Sequence, residues 1–178
     1  MKTLIAYYSH GGNNETLARH LQKKLMCDVL RIEEAKKRSW FARFVDLMLN
    51  RRPEVKYVSL PLKDYDFLIF MAPIWAAKIA PPLMSFLSNS KDSIKRYSFI
   101  TVCGGAAGQK EKVTGQLKAM LGTDPVSVTD LWISSLFDGK KDVSKYKIDQ
   151  HDLDLFNDRI EHFMDHYKRA QQELPVVG

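Results

Sequence analysis

The chain has 178 residues, 45% of them hydrophobic and 11% aromatic, and carries 27 basic against 21 acidic side chains for a formal charge of +6. That length and apolar content suit a single globular domain over residues 1–178 with a real core, and they exclude a disordered chain. No apolar run reaches the roughly 18 residues of a membrane span, and the chain enters a strand without a signal-peptide pattern, so the expected location is the cytoplasm.

In chain order, residues 2–8 form a short β-rich run that empties into Ser9, His10, Gly11, Gly12, Asn13 and Asn14. Leu17, Leu21 and Leu25 then recur at helical spacing, which predicts an amphipathic helix to residue 26. A second strand is expected over 29–32. A basic excursion follows at about 34–56, in which Trp40, Phe44 and Leu47 line one face of a predicted helix over 40–50 that Pro53 brings to an end. Residues 66–72 are almost continuously apolar, the mark of a strand covered on both faces, and Pro73 stops them. A helix over 82–87, a strand over 97–103, a helix over 109–121, a strand over 126–133 and one long helix from about 149 to 171 complete the pattern. Cys27 and Cys103 form no C-x-x-C pair and follow apolar stretches, so they suggest neither a disulfide scaffold nor a metal site.

Strands alternating with helices specify right-handed crossovers and an α/β fold of three layers, a doubly wound, five-stranded parallel sheet with helices on both faces. In such sheets ligands bind outside the carboxyl ends of the strands, where the strand order reverses. Three unlike loops leave those ends. The first is Ser9 to Asn14, at the start of a helix whose leading N–H groups have no partners within the helix and carry the positive end of its dipole. Its glycines let the backbone come close to an anion, and Ser9, Asn13 and Asn14 offer short donors, yet an ordinary strand-to-helix turn uses the same residues for bend and cap. It lacks the Gly-Lys-Ser/Thr of a P-loop and the glycine spacing of a dinucleotide fingerprint. The second loop is Pro73, Ile74, Trp75, Ala76 and Ala77, with an exposed aromatic; the third is Cys103, Gly104, Gly105, Ala106, Ala107 and Gly108, whose glycines permit close approach of something flat. A phosphate attached to a planar ring system fits all three.

The segments 7–13, 65–75 and 101–105, with the Pro73-Ile74-Trp75 run followed by Pro81-Pro82 and Ser85-Phe86-Leu87, resemble the flavodoxin family over nearly the whole chain. The resemblance implies the flavodoxin-like strand order 2-1-3-4-5 and a non-covalent FMN. Carried over by position, Ser9, His10, Gly11, Gly12, Asn13 and Asn14 would take its phosphate. Pro73, Ile74, Trp75, Ala76 and Ala77 on one side, and Cys103, Gly104, Gly105 and Gly108 on the other, would flank the ring, with Trp75 packed beside it. It implies an FMN-dependent redox protein, an electron carrier or an NAD(P)H and quinone type oxidoreductase, with no obligatory catalytic side chain and with a redox partner protein or small-molecule acceptor. The alternative is a flavodoxin-like module that has lost FMN and works through a protein or membrane-surface partner.

Two departures from the family pattern stand out. Gly11 and Asn14 occupy places where threonines are expected; the Asn14 amide is expected to replace one hydroxyl, and Thr16 lies nearby as in flavodoxin-like quinone reductases of the tryptophan-repressor-binding type. Ala76 and Ala77 stand where many flavodoxins have glycine after the aromatic, and an alanine driven to positive φ costs about 1 to 2 kcal/mol, which disfavours one-electron chemistry and favours paired-electron chemistry.

The charge is also inverted relative to the acidic carriers of that family. Between Arg31 and Lys56 there are eight basic and four acidic residues, a local excess of +4. An acidic partner, or an anionic membrane surface touched by residues 36–52, would match it; a helix docked on its own core with a solvated basic face is the plainer reading. The basic residues lack the aromatic interleaving of a nucleic-acid platform, so no nucleic acid is expected. His162 and His166, four apart on the last helix, lack an evident third ligand for a metal.

Overall fold

The structure is a computed structural model and describes residues 1–36, 39, 45, 46, 48, 49, 51–57, 60–138 and 142–173. Its strands are β1 (Thr3–Tyr7), β2 (Asp28–Arg31), β3 (Phe67–Met71), β4 (Ile74–Trp75), β5 (Lys78–Ile79), β6 (Tyr97–Cys103) and β7 (Val128–Trp132). The helices are α1 (Asn13–Leu25), α2 (Pro81–Ser90), α3 (Gln109–Leu121), α4 (Gln150–Leu155) and α5 (Asn157–Gln172).

β1, β3 and β6 are buried along their whole length, as their unbroken apolar runs require. Alternate residues feed two cores. Ile5, Tyr7, Phe67, Ile69, Met71, Ile100 and Val102 pack with Leu17 and Leu21 of α1 and with Ile160 and Phe163 of α5. Leu4, Ala6, Leu68, Phe70, Tyr97 and Phe99 pack on the other face with Leu83, Phe86 and Leu87 of α2 and Val113 and Leu117 of α3. The main sheet is parallel, in the order β2-β1-β3-β6-β7, which is the expected 2-1-3-4-5 pattern with the main strands renumbered. Strand order reverses between β1 and β3, so the crevice at their carboxyl ends is the switch point of the sheet.

Two expectations need correction. The terminal helix is two helices: Asp149 and Asp152 form a capping box that starts α4, and the chain bends at Phe156 (φ −86°, ψ 2°), whose ring is buried, before α5 begins. The loop after β3 is an antiparallel hairpin, with Ile74 opposite Ile79 and Trp75 opposite Lys78. Ala76 and Ala77 make its turn with φ of 49° and 59°, the double positive φ of a type I′ turn that ordinarily calls on Asn and Gly.

The basic excursion leaves and rejoins the fold at one neck. Glu34 bridges Val55 antiparallel, the Ala35 N–H donates to the Glu54 carbonyl at 2.9 Å, and Lys56 pairs with Glu33. The predicted apolar stripe of Trp40, Phe44 and Leu47 lies outside the described residues.

Candidate functional site

At the switch point a cleft of about 500 Å³ opens between the three carboxyl-end loops. Ser9, His10, Gly11, Asn13 and Asn14 line it from the first loop, Pro73, Ile74 and Trp75 from the hairpin, and Cys103 and Gly104 from the third loop. The structure therefore brings ten of the residues singled out in the sequence to one cavity; Gly12, Ala76, Ala77, Gly105 and Gly108 do not line it. Its size falls within the usual range of ligand pockets.

The first loop ends on Gly12, whose φ of 99° only glycine adopts at little cost, and α1 begins there without a side-chain cap. The Gly12 N–H donates to Ser9 Oγ at 3.2 Å, while the next amides of the first turn have no side-chain acceptor among the described residues. A Cβ added at Gly11 or at Gly12 would meet nothing within 4 Å, so the backbone here borders open space. An uncapped helix start bordering a cavity offers dipoles and N–H groups that an anion can satisfy.

The two asparagines have a different role from the one expected. The Asn14 side chain is buried and clamps the backbone of Val102, accepting from its N–H at 3.0 Å and donating to its carbonyl at 3.2 Å. Asn13 does the same for the last loop, donating to the Tyr146 carbonyl at 2.8 Å and accepting from the Ile148 N–H at 3.1 Å. Both amides hold loops in register around the cleft, so Asn14 does not stand in for a threonine hydroxyl. The Thr16 hydroxyl is also committed, donating to the Gly12 carbonyl at 3.3 Å.

Trp75 stands edge-on to Tyr8, with ring centroids 6.4 Å apart, and edge-on to His10 at 6.0 Å. These contacts hold the indole at the lip of the cleft with its apolar surface half-buried. The hairpin that carries it is braced from outside. Gln116 of α3 accepts from the Ile79 N–H at 3.1 Å and donates to the Ala77 carbonyl at 2.9 Å, and the Ala80 N–H closes the base on the Pro73 carbonyl at 3.0 Å.

The third loop corrects another expectation. Gly105, with φ of 95°, does make a close approach, but to a ring of its own chain: a Cβ there would fall 2.8 Å from Cγ of Trp132 and 2.7 Å from Oγ of Ser134. That indole is held by its Nε1–H, which donates to Asp130, and by the Arg159 guanidinium 5.9 Å from the ring centroid. Gly104 alone of the loop's glycines faces the cleft. Burial pushes the Cys103 thiol from its ordinary value of 9.0 up to about 11, only partly offset by the Gln109 amide that donates to its Sγ at 3.1 Å, so the sulfur is a neutral wall atom.

Among the described residues, Val102, Ile133, Asp142, Val143 and Ser144 also line the cleft and were not assigned to it from the sequence. Only the Asp142-Val143-Ser144 triplet carried a signal, that of an Asx turn: the Ser144 N–H donates to Asp142 Oδ1 at 2.9 Å, and with the Ser144 hydroxyl it holds that exposed carboxyl below its ordinary range. His162 and His166 face each other on α5 with Nε2 atoms 3.2 Å apart, far in the chain from the cleft loops; among the described residues no group of three potential metal ligands occurs. Among those residues, too, no helix is long and apolar enough to cross a membrane.

No family model matches the chain, and no curated protein does. Solved structures do. A flavoprotein from Lactobacillus acidophilus NCFM, crystallised in complex with FMN, superposes with a TM-score of 0.63 at 16% identity, over 72% of this chain and 92% of its own. The apo-form of the Lactobacillus acidophilus flavoprotein, solved by NMR, gives 0.59 at 15% identity, over 83% and 97%. The flavodoxin, WrbA-like protein from Agrobacterium tumefaciens gives 0.56 at 15% identity, over 97% and 99%. The fold of this chain is thus flavodoxin-like.

Proposed function

We propose that this chain binds FMN without a covalent bond at the carboxyl edge of its sheet and serves as a flavodoxin-like redox protein, in electron transfer or in NAD(P)H and quinone type oxidoreduction. The observation that carries the reading is the bare start of α1, set on Gly12 and bordering a cleft whose other walls are Trp75 and Gly104. The flavoprotein of like fold crystallised with FMN adds support.

Bound FMN would supply the electron chemistry, so no acid or base of the protein is obligatory. The residues of the chain bind, orient and exclude water. The first-turn amides of α1 and the Ser9 hydroxyl would hold the phosphate; Ile74, Trp75 and Gly104 would shelter the ring. Asn13 and Asn14 fix the start of α1 against two other parts of the cleft wall, Asn14 against Val102 of β6 and Asn13 against the 146–148 loop.

Because both threonine positions of the family pattern lack a free hydroxyl here, the phosphate rests on backbone dipoles and Ser9. Each absent charge-assisted hydrogen bond weakens binding by about 1.5 to 3 kcal/mol, which makes loss of the cofactor during purification an expected behaviour. The same feature favours the second reading, a flavodoxin-like module without flavin that acts through a partner. Titration of the purified protein with FMN separates them: binding gives a shifted visible spectrum and quenched flavin fluorescence, whereas a spectrum and fluorescence identical to those of free FMN at every protein concentration reject the first reading. Steady-state oxidation of NADPH with a quinone then distinguishes an enzyme from a carrier.

A further inference from the structure

The hairpin β4–β5 is a wall shared by two cavities. Ile74 and Trp75 face the cleft just described, and their cross-strand partners Ile79 and Lys78 line a second cavity of about 290 Å³. Among the described residues its remaining lining is Asp46, Arg51, Arg52, Pro81, Met84 and Gln116. Three cations thus meet one carboxylate over an apolar floor of Ile79, Pro81 and Met84. Arg51 and Arg52 are exposed, and the Arg52 guanidinium donates to the neutral Ser88 hydroxyl at 2.7 Å, a contact that orients it without cancelling its charge. The cavity is small for a whole ligand but sized for a side chain. Gln116 ties it mechanically to the hairpin that carries Trp75.

We infer that this basic cavity is the docking point for an acidic protein partner, which seats a carboxylate side chain between Arg51, Arg52 and Lys78 and thereby comes to rest against the hairpin at the edge of the flavin cleft. The assignment rests on the FMN reading above for the identity of what lies behind the hairpin, and on charge for the partner: a chain at +6 with Arg51, Arg52 and Lys78 lining this cavity attracts an acidic surface and repels a basic one. The planar donor fork of a guanidinium is suited to a carboxylate, and the apolar floor accepts the methylenes of a Glu side chain.

The test uses FMN-loaded protein and, as acidic probe, a plant-type ferredoxin, with binding followed calorimetrically at low and at high salt. Binding is expected at low salt and is expected to weaken as salt rises; Arg51→Gln with Arg52→Gln should reduce the association constant roughly tenfold at low salt. Lys91→Gln with Lys95→Gln removes equal charge just before β6, at the amino edge of the sheet, and should change it little. Equal losses in the two double variants, undiminished binding at high salt, comparable binding of the basic protein cytochrome c, or saturation of the site by free glutamate alone would overturn the inference. Any of these results obtained with the flavin seated leaves the FMN reading intact, while failure to load FMN rejects that reading separately.

Discussion

Replacing Gly105 with alanine tests how the third loop is built. Its φ of 95° costs an alanine about 1 to 2 kcal/mol. The new methyl would lie 2.7 Å from Ser134 Oγ and 2.8 and 2.9 Å from two carbons of the Trp132 indole. The hydroxyl can rotate away, but the indole is pinned through Asp130 and Arg159, so overpacking adds about 1 to 3 kcal/mol. The expected loss is therefore roughly 2 to 5 kcal/mol, and a mid-range loss of about 3 kcal/mol lowers Tm by roughly 6 to 12 °C in a chain of this size. Gly108→Ala is the internal control: φ is 69° and a Cβ there meets nothing within 4 Å, so only the backbone cost of about 1 to 2 kcal/mol applies. Urea and thermal melts of Gly105→Ala, Gly108→Ala, Trp132→Ala and the Gly105→Ala/Trp132→Ala double variant complete the cycle. In the Trp132→Ala background the cost of Gly105→Ala should shrink to that of Gly108→Ala. Equal costs for the two single glycine variants, or no relief in the double variant, would refute the packing argument.

Asn14→Leu should destabilise the fold by about 2 to 4 kcal/mol in urea melts, because it strips the buried Val102 N–H of its acceptor and leaves the Val102 carbonyl only the longer bond from the Thr101 hydroxyl. Gly11→Asp, placed where the backbone borders open space, should leave Tm nearly unchanged yet reduce FMN affinity at least roughly tenfold by fluorescence quenching, since a carboxylate then competes for the dipole of α1. Stability should fall as pH rises above about 9. Burial raises the thiols of Cys27 and Cys103 to about 11 and the Tyr97 hydroxyl to about 12, so the unfolded chain releases these protons first and rising pH favours it; denaturant melts that stay level to about pH 11 would contradict this.

The sheet was readable in the sequence because its central strands are buried on both faces and so appear as unbroken apolar runs between helical periods. The three loops were readable because they follow those runs directly. What escaped is set by contacts distant in sequence. Nothing local distinguishes an asparagine that donates to a ligand from Asn14, which clamps a strand 88 residues away. A glycine-rich loop announces a close approach, but not that Gly105 makes it to Trp132 of its own chain. The hairpin at Ala76 and Ala77 hid for the opposite reason: its turn residues violate the local preference for Asn-Gly, and Gln116 of a different helix holds it in place. The break at Phe156 was masked by apolar periodicity that continues through both helices, while the signal for α4 was the capping pair Asp149 and Asp152.

The central claim is that the start of α1 receives a phosphate. Titrating the isotopically labelled protein with FMN and following its amide resonances tests this directly. The account predicts that the largest shifts fall on Gly11, Gly12, Asn13 and Asn14, with the Trp75 indole N–H and Gly104 moving in the same step. Shifts confined to other surfaces, with the α1 amides unmoved at saturating FMN, would contradict it.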